Sequence, residues 1–193
     1  MSEDMQADYV ADLDQEASDE HKFYVVAPGK FLVLYFVTFG LYTYYWFYKN
    51  WKQLKVVAGR KVIPFLRGLF HIVFAVQLFR TIDVELKARQ LPYAWKPVVL
   101  AVTLIVLTVI AYLRRRLVDW GVDAVFLNYY APVMLLVIGY VLYRAQMAVN
   151  LAMDDPKGLS NRRFTWANVI WILIGGLIWL MALVGAVLML IHR

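Results

Sequence analysis

The chain contains no cysteine, which excludes disulfides, thiolate metal sites and cysteine nucleophiles on either side of a membrane. Histidine is nearly as scarce. His21, His71 and His192 lie far apart, and the sequence holds no HExxH, Walker loop or GxSxG. These absences argue against an enzyme, and no metal or cofactor is expected. Acids are missing from every long apolar run; proton relays generally use a carboxylate at depth, so a proton-coupled pump is disfavoured too. Lys and Arg are absent from the first 20 residues, which carry eight acids, whereas residues 21–193 carry six acids and all 20 bases. The N-terminus therefore lacks both the basic and the apolar parts of a cleavable signal peptide.

What is present is apolar. At 62% hydrophobic residues and a mean hydropathy of +0.58, the 193 residues have more apolar surface than one soluble core needs, so lipid must solvate the excess. The expected class is an all-α integral membrane protein with one multi-pass domain over residues 23–193. An acidic, disordered tail covers residues 1–22, read as solvated or as a tether to the basic loops. The bases sit in short loops beside apolar runs, where anionic headgroups are nearer partners than nucleic acid.

Residues 31–48 contain no charge over 18 positions. As one helix they would extend about 27 Å, enough for a first crossing. Residues 62–79 are apolar but carry Pro64, Arg67, Gly68, His71 and Gln77, which suits a re-entrant, interfacial or bundle-packed segment. Residues 81–96 read as a surface amphipathic helix with Ile82, Leu86 and Leu91 inward, ending before Pro97. Residues 97–113 form a clear span stopped by Arg114, Arg115 and Arg116. Two further apolar segments start at Pro132 and Trp166. About four transmembrane helices are thus expected. With residues 62–79 not crossing and the tail outside, 13 loop bases fall inside and six outside. The three arginines on the outer side count against that arrangement.

Four features are candidates for function. The exit of the first segment places Tyr42, Tyr45, Trp46, Lys49 and Gln53 on one helix face; it reads as an aromatic belt with snorkelling lysines, or as a lipid or partner interface made by Tyr45, Trp46, Lys49, Trp51, Lys52 and Lys55. Arg67 and His71, one turn apart, are the ionisable groups inside an apolar segment. Tyr143, Gln146, Asn150 and Asp154 form a polar stripe at spacings of three, four and four. Either it packs against other helices, or Arg67, His71, Gln146 and Asn150 bound a polar cavity. Thr165 with Asn168 three residues on reads as the N-cap of the last helix.

TFGLYTYYW at 38–46, PFLRGLF at 64–70, the pair Gln146 and Asn150, and NRRFTWAN at 161–168 resemble a family of uncharacterised bacterial polytopic membrane proteins, a domain of unknown function. The resemblance runs from about Phe23 onward and rests mainly on a Thr-x-Gly-x-Tyr-x-x-Tyr-Trp signature. Leu66 departs from the aromatic expected before the arginine. The resemblance implies a multi-pass place in the cell inner membrane and supplies no catalytic residue. The expected role is a non-enzymatic accessory or interaction protein contacting anionic lipid headgroups or a membrane protein; the alternative is a small transporter or lipid-handling protein with a polar intramembrane cavity.

Overall fold

A computed structural model describes residues 21–121 and 124–191. Among them there is no strand. The helices are α1 Pro28–Val37, α2 Tyr42–Val56, α3 Pro64–Leu69, α4 His71–Ala88, α5 Pro97–Asp119, α6 Ala124–Ala152 and α7 Trp166–Ile191, with a 3-10 turn at Leu159–Asn161. Proline opens α1, α3 and α5, where its missing N–H is no loss and its fixed φ is already helical. The tail expected over residues 1–22 lies outside the described residues, apart from His21 and Lys22. The Lys22 ammonium is paired with Glu85 of α4 at 2.5 Å.

The first expected crossing is not one continuous helix. Residues 31–48 break at 38–41, where Phe39 and Gly40 take φ of 52° and 82°, and α2 then returns toward the level at which α1 entered. Phe31 meets Tyr42 edge to face with centroids 5.7 Å apart, and Tyr24 meets Tyr45 at 6.0 Å. The Tyr24 N–H donates to Asn50 Oδ1 at 3.1 Å, 26 residues further on. Ten helical residues advance about 15 Å, roughly half of a hydrocarbon layer about 30 Å thick. The segment is a helical hairpin.

Irregular backbone at such a depth survives only where its polar groups are met inside the protein. Thr38 closes both helices of the hairpin: its hydroxyl donates to Leu34 O at 2.7 Å and accepts the Tyr42 N–H at 3.0 Å. The Gly40 N–H reaches Tyr35 O at 2.8 Å and the Leu41 N–H reaches Thr38 O at 3.0 Å. Trp179 of α7 donates its indole N–H to Phe36 O at 3.1 Å and stacks on Phe39 at 4.2 Å. Gly40 suits the left-handed position because it has no Cβ to strain. Gly175 of α7 lies so close to Val37 that a Cβ would collide with its carbonyl.

Residues 62–79 form two helical pieces, α3 and the first half of α4, broken at Phe70. Helix α3 lies on α2, with Gly68 against Tyr44 and Tyr48. The surface helix expected over residues 81–96 is not separate. Its first turns are the end of α4, with Ile82 and Leu86 buried as their spacing requires. Beyond Arg89 and Gln90 the chain is non-helical up to Pro97. Side chains meet the polar groups there: Trp95 donates to Asp83 at 2.9 Å, and Tyr93 donates to Arg144 O at 2.9 Å.

Among the described residues, three helices are long and apolar enough to cross a membrane: Pro97–Arg114, Pro132–Ala152 and Trp166–Gly185. That is one fewer than expected, because the hairpin takes the place of a span. Helix α6 is the central one, packed on α1, α4 and α5, whereas α7 leans mainly on α1. The core lies where α2, α4 and α6 meet. Trp46, Phe47 and Phe79 form mutual ring contacts at 5.1 to 6.5 Å, each such pair adding about 0.5–1.5 kcal/mol beyond area burial.

Candidate functional site

Of the expected stripe, Gln146 and Asn150 on α6 turn inward and hold the chain's own N-terminal segment, whereas Asp154 lies beyond the helix end and is exposed. Gln146 Nε2 donates to Tyr24 O at 3.2 Å and to Asn150 Oδ1 at 2.6 Å, while its Oε1 accepts the Trp46 indole N–H at 2.5 Å. Asn150 reads both polar groups of Val26, accepting its N–H at 3.3 Å and donating to its carbonyl at 2.9 Å. Asn161 donates to Val25 O at 2.9 Å, and Asn50 completes the set at Tyr24. Four amide side chains therefore replace the helical bonds that residues 24–26 do not make. Gln146 and Asn150 are fully buried; leaving either group's partner unmet would cost about 1–3 kcal/mol.

This clamp fixes Tyr24 at the edge of a tyrosine cluster. Tyr42 and Tyr45 approach at 5.7 Å, and the Lys49 ammonium lies 5.1 Å above the Tyr24 ring. Beside them a groove of about 180 Å³ runs between the hairpin and the start of α7, lined by Leu34, Thr38, Leu41, Tyr42, Tyr45, Thr165, Asn168 and Trp171 among others. Thr165 and Asn168 form the expected reciprocal cap: the Thr165 N–H donates to Asn168 Oδ1 at 3.2 Å, and the Asn168 N–H donates to Thr165 Oγ1 at 3.4 Å. The groove combines an apolar wall with hydroxyls at its hairpin and helix ends.

Cations stand over this end of the molecule. Lys30, one turn before Leu34, is 4% exposed and donates to Asn161 Oδ1 at 2.6 Å and to Arg163 O at 2.5 Å. Burial, reinforced by the charge of Lys49, brings its pKa down to about 8. It keeps two good acceptors and no carboxylate, so an anion arriving nearby would favour its charged form. Sequence reasoning missed Lys30, because a lysine two residues after a helix-opening proline reads as a boundary charge.

The predicted interface residues divide between inside and outside. Tyr45, Lys52 and Lys55 are exposed and Lys49 is half-buried, as a headgroup-facing surface requires. Trp46 and Trp51, also expected on that surface, are fully buried. Trp46 is turned inward by its bond to Gln146, and Trp51 by the Arg67 guanidinium stacked 4.1 Å from its ring centroid.

The cavity expected among Arg67, His71, Gln146 and Asn150 does not form. Arg67 is satisfied between the Trp51 and Phe74 rings and by Gln77 Oε1 at 2.8 Å, while Gln146 and Asn150 are satisfied by residues 24–26. His71 lies elsewhere, edge-on to Tyr44 at 4.8 Å. It is one wall of a different cavity of about 350 Å³ at the hairpin turn, with Phe39, Gly40, Tyr44, Thr108, Tyr112 and Tyr130 among its other walls. Leu41 lines both this cavity and the groove. Among the described residues no group of three or more His, Asp or Glu side chains could hold a metal ion.

Residues 27–119 match the family model described as Domain of unknown function (DUF4234). The match covers the hairpin, α3, α4 and α5, and ends before the two helices that supply Gln146, Asn150 and Trp179. No curated protein and no solved structure matches the chain.

Proposed function

We propose that the protein is a non-enzymatic accessory component of a bacterial inner membrane that binds anionic phospholipid, or the acidic surface of a membrane partner, through the groove and the basic face around it. The observation that carries this reading is topological. On the reading that neither residues 31–48 nor residues 62–79 cross, all but four of the 20 Lys and Arg residues precede α5 or lie at the α6 and α7 ends nearest the groove. The exceptions are Arg114, Arg115, Arg116 and Arg193. The positive-inside bias then places this face, with the N-terminal tail, in the cytoplasm, the reverse of the orientation that four crossings suggest. Exposed bases beside an anionic leaflet contribute about 1 kcal/mol each. Lys49, Lys52 and Lys55 would draw the headgroup in, while Leu34, Leu41 and Trp171 accept the upper acyl chain.

Native mass spectrometry of the protein in mild detergent with phosphatidylglycerol tests this reading. The Lys49→Gln, Lys52→Gln, Lys55→Gln variant is expected to retain at least tenfold less lipid; unchanged retention overturns the proposal. A small transporter or lipid-handling role is the second reading, favoured by the two cavities that meet at Leu41.

A further inference from the structure

We propose that the open hollow of about 510 Å³ where the end of α2 and the start of α3 meet α4 is a second lipid site, and that it takes the headgroup of a phospholipid carrying two negative charges, of the cardiolipin class. Lys55, Lys61 and Arg67 line it, beside Ile63, Leu66 and Phe74. The inference rests on the reading of the protein as an anionic-lipid binder, but it names a place apart from the groove: the two share no lining residue.

Charge selects an anion. Among the described residues no Asp or Glu lines the hollow, and none of the ion pairs involves Lys55, Arg60, Lys61 or Arg67. Arg67 is held in place before any ligand arrives. Its guanidinium stacks on Trp51 and Phe74 at 4.1 and 4.7 Å and donates through Nη1 to Gln77 at 2.8 Å, which leaves it N–H groups to spare for phosphate oxygens. Partial burial and the charge of Arg60 both lower its pKa; an anion in the hollow would offset both. A single phosphodiester leaves two of the three lining cations unbalanced. A headgroup with two phosphates comes closer to their sum.

The surroundings select a lipid over a free phosphate. Ile63, Phe65, Leu66, Leu69, Phe70 and Val73 are exposed along α3 and the start of α4, and Ile63 and Leu66 are walls of the hollow itself. In water such a surface is unfavourable; acyl chains cover it. Basic pockets at the edge of a helical membrane domain suit headgroups with more than one charge. An acidic protein segment would meet the bases and leave these apolar side chains bare.

The test is titration of the purified full chain in mild detergent with tetraoleoyl cardiolipin, read by native mass spectrometry against phosphatidylglycerol and inorganic phosphate. Cardiolipin is expected to bind more tightly than phosphatidylglycerol by about fivefold or more, the effect of one further base engaged. Inorganic phosphate in large excess should not displace it. Lys61→Gln should weaken cardiolipin binding about fivefold and Arg67→Gln about tenfold. Phosphatidylglycerol retention should stay nearly unchanged in both, as should cardiolipin binding in Arg80→Gln, an exposed base outside the hollow. If Arg67→Gln lowers the melting temperature, Lys61→Gln combined with Arg60→Gln carries the same test. Equal affinity for the two lipids, cardiolipin binding indifferent to these substitutions, or displacement by inorganic phosphate overturns the proposal. Cardiolipin loss in Lys61→Gln together with unchanged phosphatidylglycerol retention in the triple lysine variant would overturn the groove reading and leave this site standing.

Discussion

The hairpin of α1 and α2 and the terminal helix α7 are both long apolar stretches, yet they meet opposite fates. The hairpin buries Phe31, Leu34, Tyr35, Trp46, Phe47, Trp51 and Leu54, whereas only 6% of the α7 window is buried. The difference lies in what interrupts each run. In the hairpin a threonine, a left-handed pair and a series of tyrosines offer a turn whose backbone is satisfied from within. In α7 nothing competes with the helix, and aliphatic side chains face outward on nearly every turn, as lipid contact demands. Apolarity states that a segment can enter the membrane; its few polar side chains decide whether it must come out on the other side.

The largest effect is all-or-none. The chain has no native cysteine, so single Cys substitutions report topology cleanly. Cys at Ser18, Val57 and Lys157 should all be protected from an impermeant maleimide in intact cells, and Cys at Trp120 should be labelled. Labelling of Ser18 and Val57 from opposite sides would show that residues 31–48 cross and would break the comparison.

Next in size is Gln146→Leu. It leaves the Trp46 indole N–H and the Tyr24 carbonyl unmet, at about 1–3 kcal/mol each, so thermal unfolding in detergent should show a loss of roughly 2–6 kcal/mol. A loss under about 1 kcal/mol would mean that the clamp is dispensable. Smaller again is Gly40→Ala. The residue has φ of 82°, and forcing a Cβ into the left-handed region costs about 1–2 kcal/mol. Leu173→Ala on the open face of α7 is the reference, with an expected change under about 0.5 kcal/mol. Equal losses at Gly40 and Leu173 would remove the distinction between the two regions.

Helix type, the three long spans, the cap at Thr165 and Asn168 and the inward side of Ile82 and Leu86 were legible, because each depends on local spacing. The return of the first segment was not. Residues 38–41 signal a turn only weakly in sequence, since a lone Gly40 is common in membrane helices; what fixes the break is Thr38 bonding in both directions and Trp179 arriving from far along the chain. The α6 stripe was visible at Gln146 and Asn150, but its partner was not, because residues 24–26 have no periodicity to announce them. Trp46 and Trp51 were placed on the surface by the habits of aromatic belts; Gln146 and Arg67 hold them inside. Lys52 and Lys55 are exposed.

Trp179 belongs to a helix that leaves the ribosome after α1 to α6, and its bond to Phe36 O closes a hairpin made well over a hundred residues earlier. Gln146 and Asn150 also arrive late. Until they do, the hairpin holds open carbonyls and amide groups in an apolar layer, so residues 27–119 have the extent of a family domain without the means to finish folding alone. The early half of the chain must wait at the membrane for the late half, and truncation anywhere before α7 should leave a hairpin that inserts but does not lock.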